Sequence, residues 1–236
     1  MNFTFDEKKH VYKLDDKPLM GVTSVLGIIA KPALIQWAAN MACDYINDNF
    51  PTAEEFMKDP HIFTNLIKEA RTAHRKKKEK AADAGTDVHG LVEQYINDCI
   101  AAGETLNPVV ENPALQGFID WAITNKIKFV VSEKRMYSEE WWVAGTCDLV
   151  FEQDGKKFLG DVKTQARMWD RVPFIQMGAY TKMYQETTGE QIDGTCVILI
   201  PREKPVLETF YCYDHESDIK TFEAALRLYK SVPLTN

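Results

Sequence analysis

The residues best suited to chemistry lie in one stretch, Gly145–Thr164, which holds Asp148, Asp161 and Lys163. Asp154-Gly155 in its middle is a turn signal between apolar-rich runs, so the stretch reads as a β-hairpin. A turn centred there pairs residues of constant index sum, Gln153 with Lys156 and so on outward, and Asp148 falls opposite Asp161. Directly opposed side chains share a face, with Cβ atoms roughly 4.5–5.5 Å apart. Two carboxylates that close repel, and one must neutralise unless a cation sits between them. A hard divalent ion that takes oxygen ligands, magnesium or manganese, resolves the conflict. Lys163 lies two residues beyond Asp161 and projects from the same face, where its ammonium would orient a water or help in proton transfer. Leu149, Phe151, Phe158 and Val162 occupy the opposite face and are expected in the core. A surface hairpin with a charged wet face would also show an Asp-x-Lys tripeptide, so the argument rests on the pairing across the hairpin.

The surrounding pattern predicts an α/β (α+β) fold, a central mixed β-sheet flanked by helices. Phe3–Phe5 and Val11–Leu14, with a turn at Asp15-Asp16-Lys17-Pro18, predict an opening hairpin. Gly21–Asn49 looks helical: Thr23 or Ser24 would cap a short helix, and Pro32 would start a second over Ala33–Asn47. Leu34, Trp37, Ala38, Met41 and Tyr45 recur there at helical spacing and are expected in the core. A short helix is expected at Ala53–Met57 and a long one over Ile62–Ala84, broken at Gly85. Thr86 would cap the next, Asp87–Ala102, whose stripe is Val88, Leu91, Val92, Tyr95 and Ile96. Asn112–Asn125 is a further helix. Period two then predicts strands over Lys128–Tyr137, Trp141–Glu152 and Lys157–Thr164. A helix over Val172–Thr187 (closed by Gly189), strands Thr195–Ile200 and Val206–Tyr213 and a helix over Ser217–Tyr229 complete the chain. One domain is expected over 1–236: a hairpin and helical region to 84, a catalytic core over 85–213 and a C-terminal helix over 214–236.

Asp148, followed on the next strand by Asp161-Val162-Lys163, resembles the core of the PD-(D/E)XK nuclease superfamily. Three more motifs stand in that family's order and resemble its RecB-like branch, itself similar to lambda-type exonucleases. Gly85-Thr86-Asp87-Val88-His89 resembles the upstream histidine motif, Gly145-Thr146-Cys147-Asp148 the G-T-x-D motif, and Gln176-Met177-Gly178-Ala179-Tyr180 the Q-x-x-x-Y motif. Each is weak alone; the ordered set spans about residues 85–185. The resemblance implies a restriction-endonuclease-like core in which His89, Asp148, Asp161 and the backbone carbonyl of Val162 bind one or two magnesium or manganese ions. Lys163 would be the catalytic lysine. Gln176 and Tyr180, four apart on a helix, would position the substrate strand. Glu93 shares the His89 helix face and reads as a supporting group, a ligand to a second metal or an ordinary exposed glutamate. Glu133 lies on the preceding strand, where some family members carry an acid. Asp161 stands where the family often has Glu.

The implied reaction is metal-dependent phosphodiester hydrolysis leaving a 5′-phosphate. Family prevalence favours DNA, single-stranded or as duplex ends, over RNA, and exonuclease over endonuclease action, in recombination, repair or phage DNA processing. A catalytically silent nucleic-acid-binding recombination accessory and a structure-specific endonuclease are the alternatives. The branch often carries four cysteines around an iron–sulfur cluster; no such set exists here, so no cluster is expected. No helicase motif is present. Lambda-type relatives can form rings, so a homo-oligomer or a recombination partner protein is among the implied partners.

The net charge of −7 argues mildly against nucleic acid, but the charges are unevenly spread. Arg71, His74, Arg75, Lys76, Lys77, Lys78 and Lys80 fall in one run interrupted only by Glu79 as an acid. Such a run is ordinarily a solvated helix face. Placed shortly before His89, it is expected near the mouth of the site, where Arg71, Arg75, Lys76, Lys77 and Lys78 would neutralise DNA phosphates. Trp141, Trp142 and Trp169 flank the active strands; Trp169, as a base-stacking residue, and Thr164 join the candidate DNA contacts. The five cysteines are odd in number and form no CxxC, which excludes a disulfide framework or zinc knuckle and fits a reducing cytosol. The start of the chain has no signal-peptide pattern and no stretch nears the ~18 apolar residues of a membrane span. A cytoplasmic place in a bacterial or phage-infected cell, without a membrane partner, is the expectation. No Ser-His-Asp signature, P-loop or dinucleotide loop offers a rival chemistry.

Overall fold

The computed structural model describes residues 2–59, 61–165, 167–201 and 206–232, without the side chains of 81–87. The last four residues of the expected C-terminal region, and the side chains of Gly85, Thr86 and Asp87, therefore lie outside the described residues. Two compact units are present, one formed by Met1–Ile29 with Val88–Asn236, the other by Ala30–Asp87.

The first unit holds a mixed sheet flanked by helices. A small sheet opens it: β1 (Phe3–Asp6), β2 (Val11–Leu14) and β3 (Lys17–Pro18), all antiparallel. Next come β4 (Met20–Gly21) and the short helix α1 (Val22–Leu26). Helix α1 begins at Val22 with Gly21 as its N-cap and no side-chain cap bond, so neither Thr23 nor Ser24 caps it. Three long antiparallel strands, β5 (Lys128–Ser138), β6 (Val143–Gln153) and β7 (Lys156–Lys163), form the meander expected from period two. Helix α6 (Val172–Thr188) crosses from β7 to β8 (Gly194–Leu199), which runs parallel to β7. Gly189 ends α6 in the left-handed region at φ 74°, the conformation glycine adopts most cheaply. Strand β9 (Glu208–Cys212) and helix α7 (His215–Ser231) follow.

Helices α1, α6 and α7 cover one face of the sheet, with Met177, Met183 and Phe222 packed on Val150, Leu159 and Val197. The other face meets the end of α4 (Ile62–Ala102) and α5 (Pro113–Thr124), where Ile96, Phe118 and Ile119 pack on Leu149, Phe151, Phe158 and Val162. Asn112 caps α5 by accepting from the amides of Ala114 and Leu115. Leu149, Phe151, Phe158 and Val162 thus lie in the core as expected. Leu91 does not: it is 39% exposed while Val88, Val92, Tyr95 and Ile96 are buried.

The second unit contains α2 (Pro32–Asp48), α3 (Ala53–Lys58) and the first part of α4. Pro32 starts α2 as expected, yet no residue of α2 is buried, and Leu34 is 54% exposed. Its helical spacing makes α2 amphipathic without giving it a core. The expected break at Gly85 is absent too, because α4 runs continuously over Ile62–Ala102. A lone glycine costs a helix interior only about 1 kcal/mol relative to alanine, and the alanines beside it favour continuation. Among the described residues no helix is long and apolar enough to cross a membrane.

Candidate active site

Strand β6 forks the sheet. Along one edge it pairs with β5 over Val143–Glu152. Along the other, β4 takes only Val143 and Ala144, and β7 takes Leu149–Gln153. Gly145–Asp148 therefore has no strand partner on that edge. The hairpin register is the one expected from the Asp154-Gly155 turn, with Gln153 opposite Lys156 and Leu149 opposite Gly160. One step further the ladder stops. Asp148 does not simply face Asp161; its Oδ2 accepts the backbone N–H of Val162 at 2.7 Å.

The acids crowd together at this fork. Asp161 is buried, and Lys163 Nζ lies 2.7 Å from both of its oxygens. Only the contact to Oδ1 has hydrogen-bond geometry, which leaves Oδ2 buried without a hydrogen-bond partner. Burial raises the Asp161 carboxyl pKa against the pull of Lys163, and the nearby Asp148 adds to the rise. Burial by itself would lower the Lys163 pKa; Asp161 and then Asp148 reverse this and raise it. Lys163 is thus a firmly held ammonium.

His89 reaches the fork from α4. Its Nε2 lies 2.8 Å from the Val162 carbonyl oxygen and 3.9 Å from Asp148 Oδ2. Glu133 stands between the residues paired with Cys147 and Leu149, in register with Asp148. Its φ of 47° is left-handed, a conformation that costs a non-glycine residue of order 1 kcal/mol or more and often marks functional sites. The side chain stays exposed to solvent, yet desolvation, then Asp148 and Glu93, raise its pKa to about 7, against His89 and Arg135. Glu93, half-buried one turn after His89, belongs to the same acidic neighbourhood.

Helix α6 supplies the next wall. Gln176 Nε2 donates to the Tyr180 hydroxyl at 3.0 Å, and Tyr180 is buried within electrostatic reach of Asp161 and Asp148. Burial holds its phenol pKa well above the ordinary value. Gly145 explains how the ring fits: a Cβ there would come within 2.5 Å of Tyr180 Cε1. The glycine at the head of Gly145-Thr146-Cys147-Asp148 is a packing requirement of the tyrosine in the α6 motif. Thr146 Oγ1 is 2.8 Å from the Tyr12 hydroxyl, a contact the sequence signalled only through the alternation in β2.

No family model matches the chain. No curated protein matches it. Among solved structures it is similar to one titled "Crystal structure of SSO0001", with 10% identity and a TM-score of 0.30. The match covers 51% of this chain and 59% of that one, less than two thirds of its length. A likeness of that size carries no argument about fold or function.

The implied ligands can be tested against their own geometry. Among the described residues no three His, Cys, Asp or Glu side chains converge closely enough to hold an ion in this arrangement. The reason is visible: His89 is turned onto the Val162 carbonyl, Asp148 onto the Val162 amide, and Asp161 onto Lys163. The donor set nevertheless fits a hard divalent ion. It offers one imidazole nitrogen, two carboxylates and a carbonyl, and Asp161 Oδ2 is a buried acceptor lacking a hydrogen bond. Such an atom is costly unless something pairs with it.

The other expected contacts divide. Trp141 is a core residue packed on Phe222, and Trp142 is tied by Nε1 to the Pro18 carbonyl at 2.9 Å. Trp169 is 63% exposed, with the Arg167 guanidinium 3.6 Å from its ring centroid. Thr164 is half-buried just past the end of β7. Arg71, Arg75, Lys76, Lys77 and Lys78 are all exposed on α4 within the second unit, where Lys76 pairs with Glu69.

Proposed function

We propose that this protein is a metal-dependent DNA nuclease of the PD-(D/E)XK type, close to the RecB-like and lambda-exonuclease branch, acting on DNA ends. The observation that carries the reading is the cluster at the fork of β6: Asp148, Asp161 and Lys163 together, with His89 on the Val162 carbonyl beside them. His89, Asp148, Asp161 and the Val162 carbonyl would hold magnesium or manganese, and Glu93 and Glu133, in the same acidic neighbourhood, would be the candidates to serve a second ion. Bound there, the cation supplies Lewis acidity at the phosphate and a more acidic water.

The remaining work falls to the chain itself. Lys163 holds a positive charge within a buried setting, so it stabilises negative charge on the phosphate and orients the attacking water. Its raised pKa keeps it protonated near neutral pH, which favours an electrostatic role over that of a proton acceptor. Asp161 must be ionised to bind a cation, and its neighbours set how readily that happens. Gln176 and Tyr180 form a paired polar wall that would fix the strand against Asp148. Trp169, Thr164 and the basic run on α4 are the proposed sites of contact with the DNA backbone and bases.

The deciding experiment incubates end-labelled linear and circular DNA, single- and double-stranded, with protein plus magnesium, manganese or chelator. Metal-dependent cleavage of linear DNA that spares circles, and is lost in Asp161→Ala and Lys163→Ala, is the expected result. A wild-type protein that cuts neither DNA nor RNA with either metal sinks the reading in favour of a silent nucleic-acid-binding accessory.

A further inference from the structure

A cleft of about 590 Å³ lies against Ala144–Thr146, where the stretch of β6 left unpaired by β4 and β7 begins, within the roughly 300–1,000 Å³ of small-molecule sites. Gly145, Thr146, Gln176 and Tyr180 line it, so it is continuous with the candidate active site. Phe5, His10, Arg135, Thr23 and Ser24 also line it, and none of these has a part in the chemistry above.

The first hairpin gives this cleft a stiff aromatic wall. Phe5 stacks on Tyr12 with centroids 4.4 Å apart, and Tyr12 is buried and anchored by its hydroxyl to Thr146. His10 meets Phe5 edge-on at 5.1 Å, and the Arg135 guanidinium lies 4.7 Å from the Phe5 ring centroid. Once the Arg135 guanidinium leaves the Phe5 face, rings held this way need little ordering when a ligand stacks on them. Arg135 is paired with Glu7 at 2.9 Å, but both side chains are largely exposed, and exposed pairs yield readily to a better partner. Thr23 and Ser24 are exposed and bring hydroxyls to the same space.

We propose that this cleft holds one unpaired nucleotide of the substrate strand, its base against Phe5 and His10 and its phosphate toward Arg135, Thr23 and Ser24. The inference rests on the nuclease reading and names its substrate class: single-stranded DNA or a frayed end, in preference to closed duplex. The volume suits one nucleotide and its sugar. Aromatic faces and a guanidinium suit any base, because every base has a π-face. A nucleotide inside a duplex would first have to leave its stack, and an unpaired one avoids that cost.

The test walks 2-aminopurine through a single-stranded DNA oligonucleotide and reads its fluorescence on the wild-type protein in chelator. Quenching at one position is expected, retained in Phe5→Trp and relieved in Phe5→Leu, which keeps the apolar bulk but removes the ring. With magnesium or manganese, wild type should cut single-stranded ends at least about ten-fold faster than blunt duplex, a preference that disappears in Phe5→Leu. Thermal melts of both variants report whether the hairpin still folds. Hydrolysis with no position quenched, or with the strand preference unchanged in a folded Phe5→Leu, overturns this proposal alone. Absence of hydrolysis under every condition overturns the nuclease reading instead.

Discussion

The two compact units use similar apolar residues to opposite effect. The unit of Met1–Ile29 with Val88–Asn236 encloses Phe118, Phe151, Met177 and Phe222 almost completely. In Ala30–Asp87, among the residues whose side chains are described, only Leu66 and Ala70 are buried, while Ile35, Phe50 and Met57 are more than half exposed. The difference is architectural. A sheet presents two faces that helices can cover at once, so each strand residue meets neighbours along and across the sheet. A few helices without a sheet leave much of each apolar stripe open. The desolvated charges of Asp161 and its neighbours therefore lie in the first unit, and the second carries an exposed run of cations.

The largest effect expected from that contrast is on catalysis. Asp161→Ala or Lys163→Ala should cut the hydrolysis rate about 10²–10⁴-fold, whereas Lys58→Ala in the second unit should leave it unchanged. Initial rates at saturating DNA and metal check this, and comparable reductions from all three would erase the division of labour. Stability should divide the same way. Phe151→Ala removes a fully buried ring and should cost about 3–5 kcal/mol. Leu34→Ala should stay within about 0.5 kcal/mol. Urea melts of both variants measure the gap, and a large destabilisation from Leu34→Ala would mean α2 has a packing partner.

How much of this the sequence could reveal follows from the same contrast. The β5–β6–β7 meander was legible because period two, the Asp154-Gly155 turn and a two-sided core all agree, and its register leaves Asp148 and Asp161 within electrostatic reach although the ladder stops at Leu149 and Gly160, short of the direct pairing expected. The fork was not legible. It depends on β4, two residues long, which no periodicity marks, and on Asp148 taking the Val162 amide in place of a ladder bond. Burial in α2 failed for a related reason, since spacing reports which side of a helix is apolar but not whether anything covers it. Glu133 could be noticed as an acid on the strand, but its left-handed backbone has no signature in a run of ordinary residues. The cleft wall joins Phe5 and His10 of the first hairpin to Arg135 on β5, far off in the chain, so it is a product of the fold.

Gly145→Ala probes the fork at an intermediate scale. The new methyl would meet Tyr180 Cε1 at 2.5 Å, and overpacking of this kind costs about 1–3 kcal/mol. Both melting temperature and hydrolysis should fall, because the ring that must move belongs to the Gln176–Tyr180 wall. Gly90→Ala, where a Cβ meets nothing within 4 Å, is the matched control and should melt like wild type or slightly higher. On the cationic side, replacing Arg75, Lys76, Lys77 and Lys78 with Gln should weaken DNA binding without touching stability. For every phosphate that these side chains no longer neutralise, the dependence of log affinity on log salt should flatten by about 0.7–0.9. An unchanged slope would remove the run from the DNA interface.

The smallest effect, and the most discriminating, is on the pH dependence of stability. Glu133 has its folded pKa raised from 4.5 to about 7 by desolvation, Asp148 and Glu93. Between those values the folded protein holds a proton that the unfolded chain has released. Stability therefore falls as pH rises through that window and stays lowered above it. Glu133→Gln removes the ionisation, so the variant should match wild type near pH 4 and melt higher at pH 8. Because the side chain keeps contact with solvent, screening limits the gain to about 1–3 °C. Magnesium adds a second reading. A cation held among Asp148, Asp161 and His89 would favour the ionised Glu133 and raise the wild-type melting temperature by mass action. The advantage of Glu133→Gln at pH 8 should then shrink or reverse as magnesium is added. If magnesium shifts neither protein, the crowded carboxylates at the fork bind no cation under those conditions. A gain that survives saturating magnesium would separate Glu133 from the ion and leave it as a strained residue of the strand.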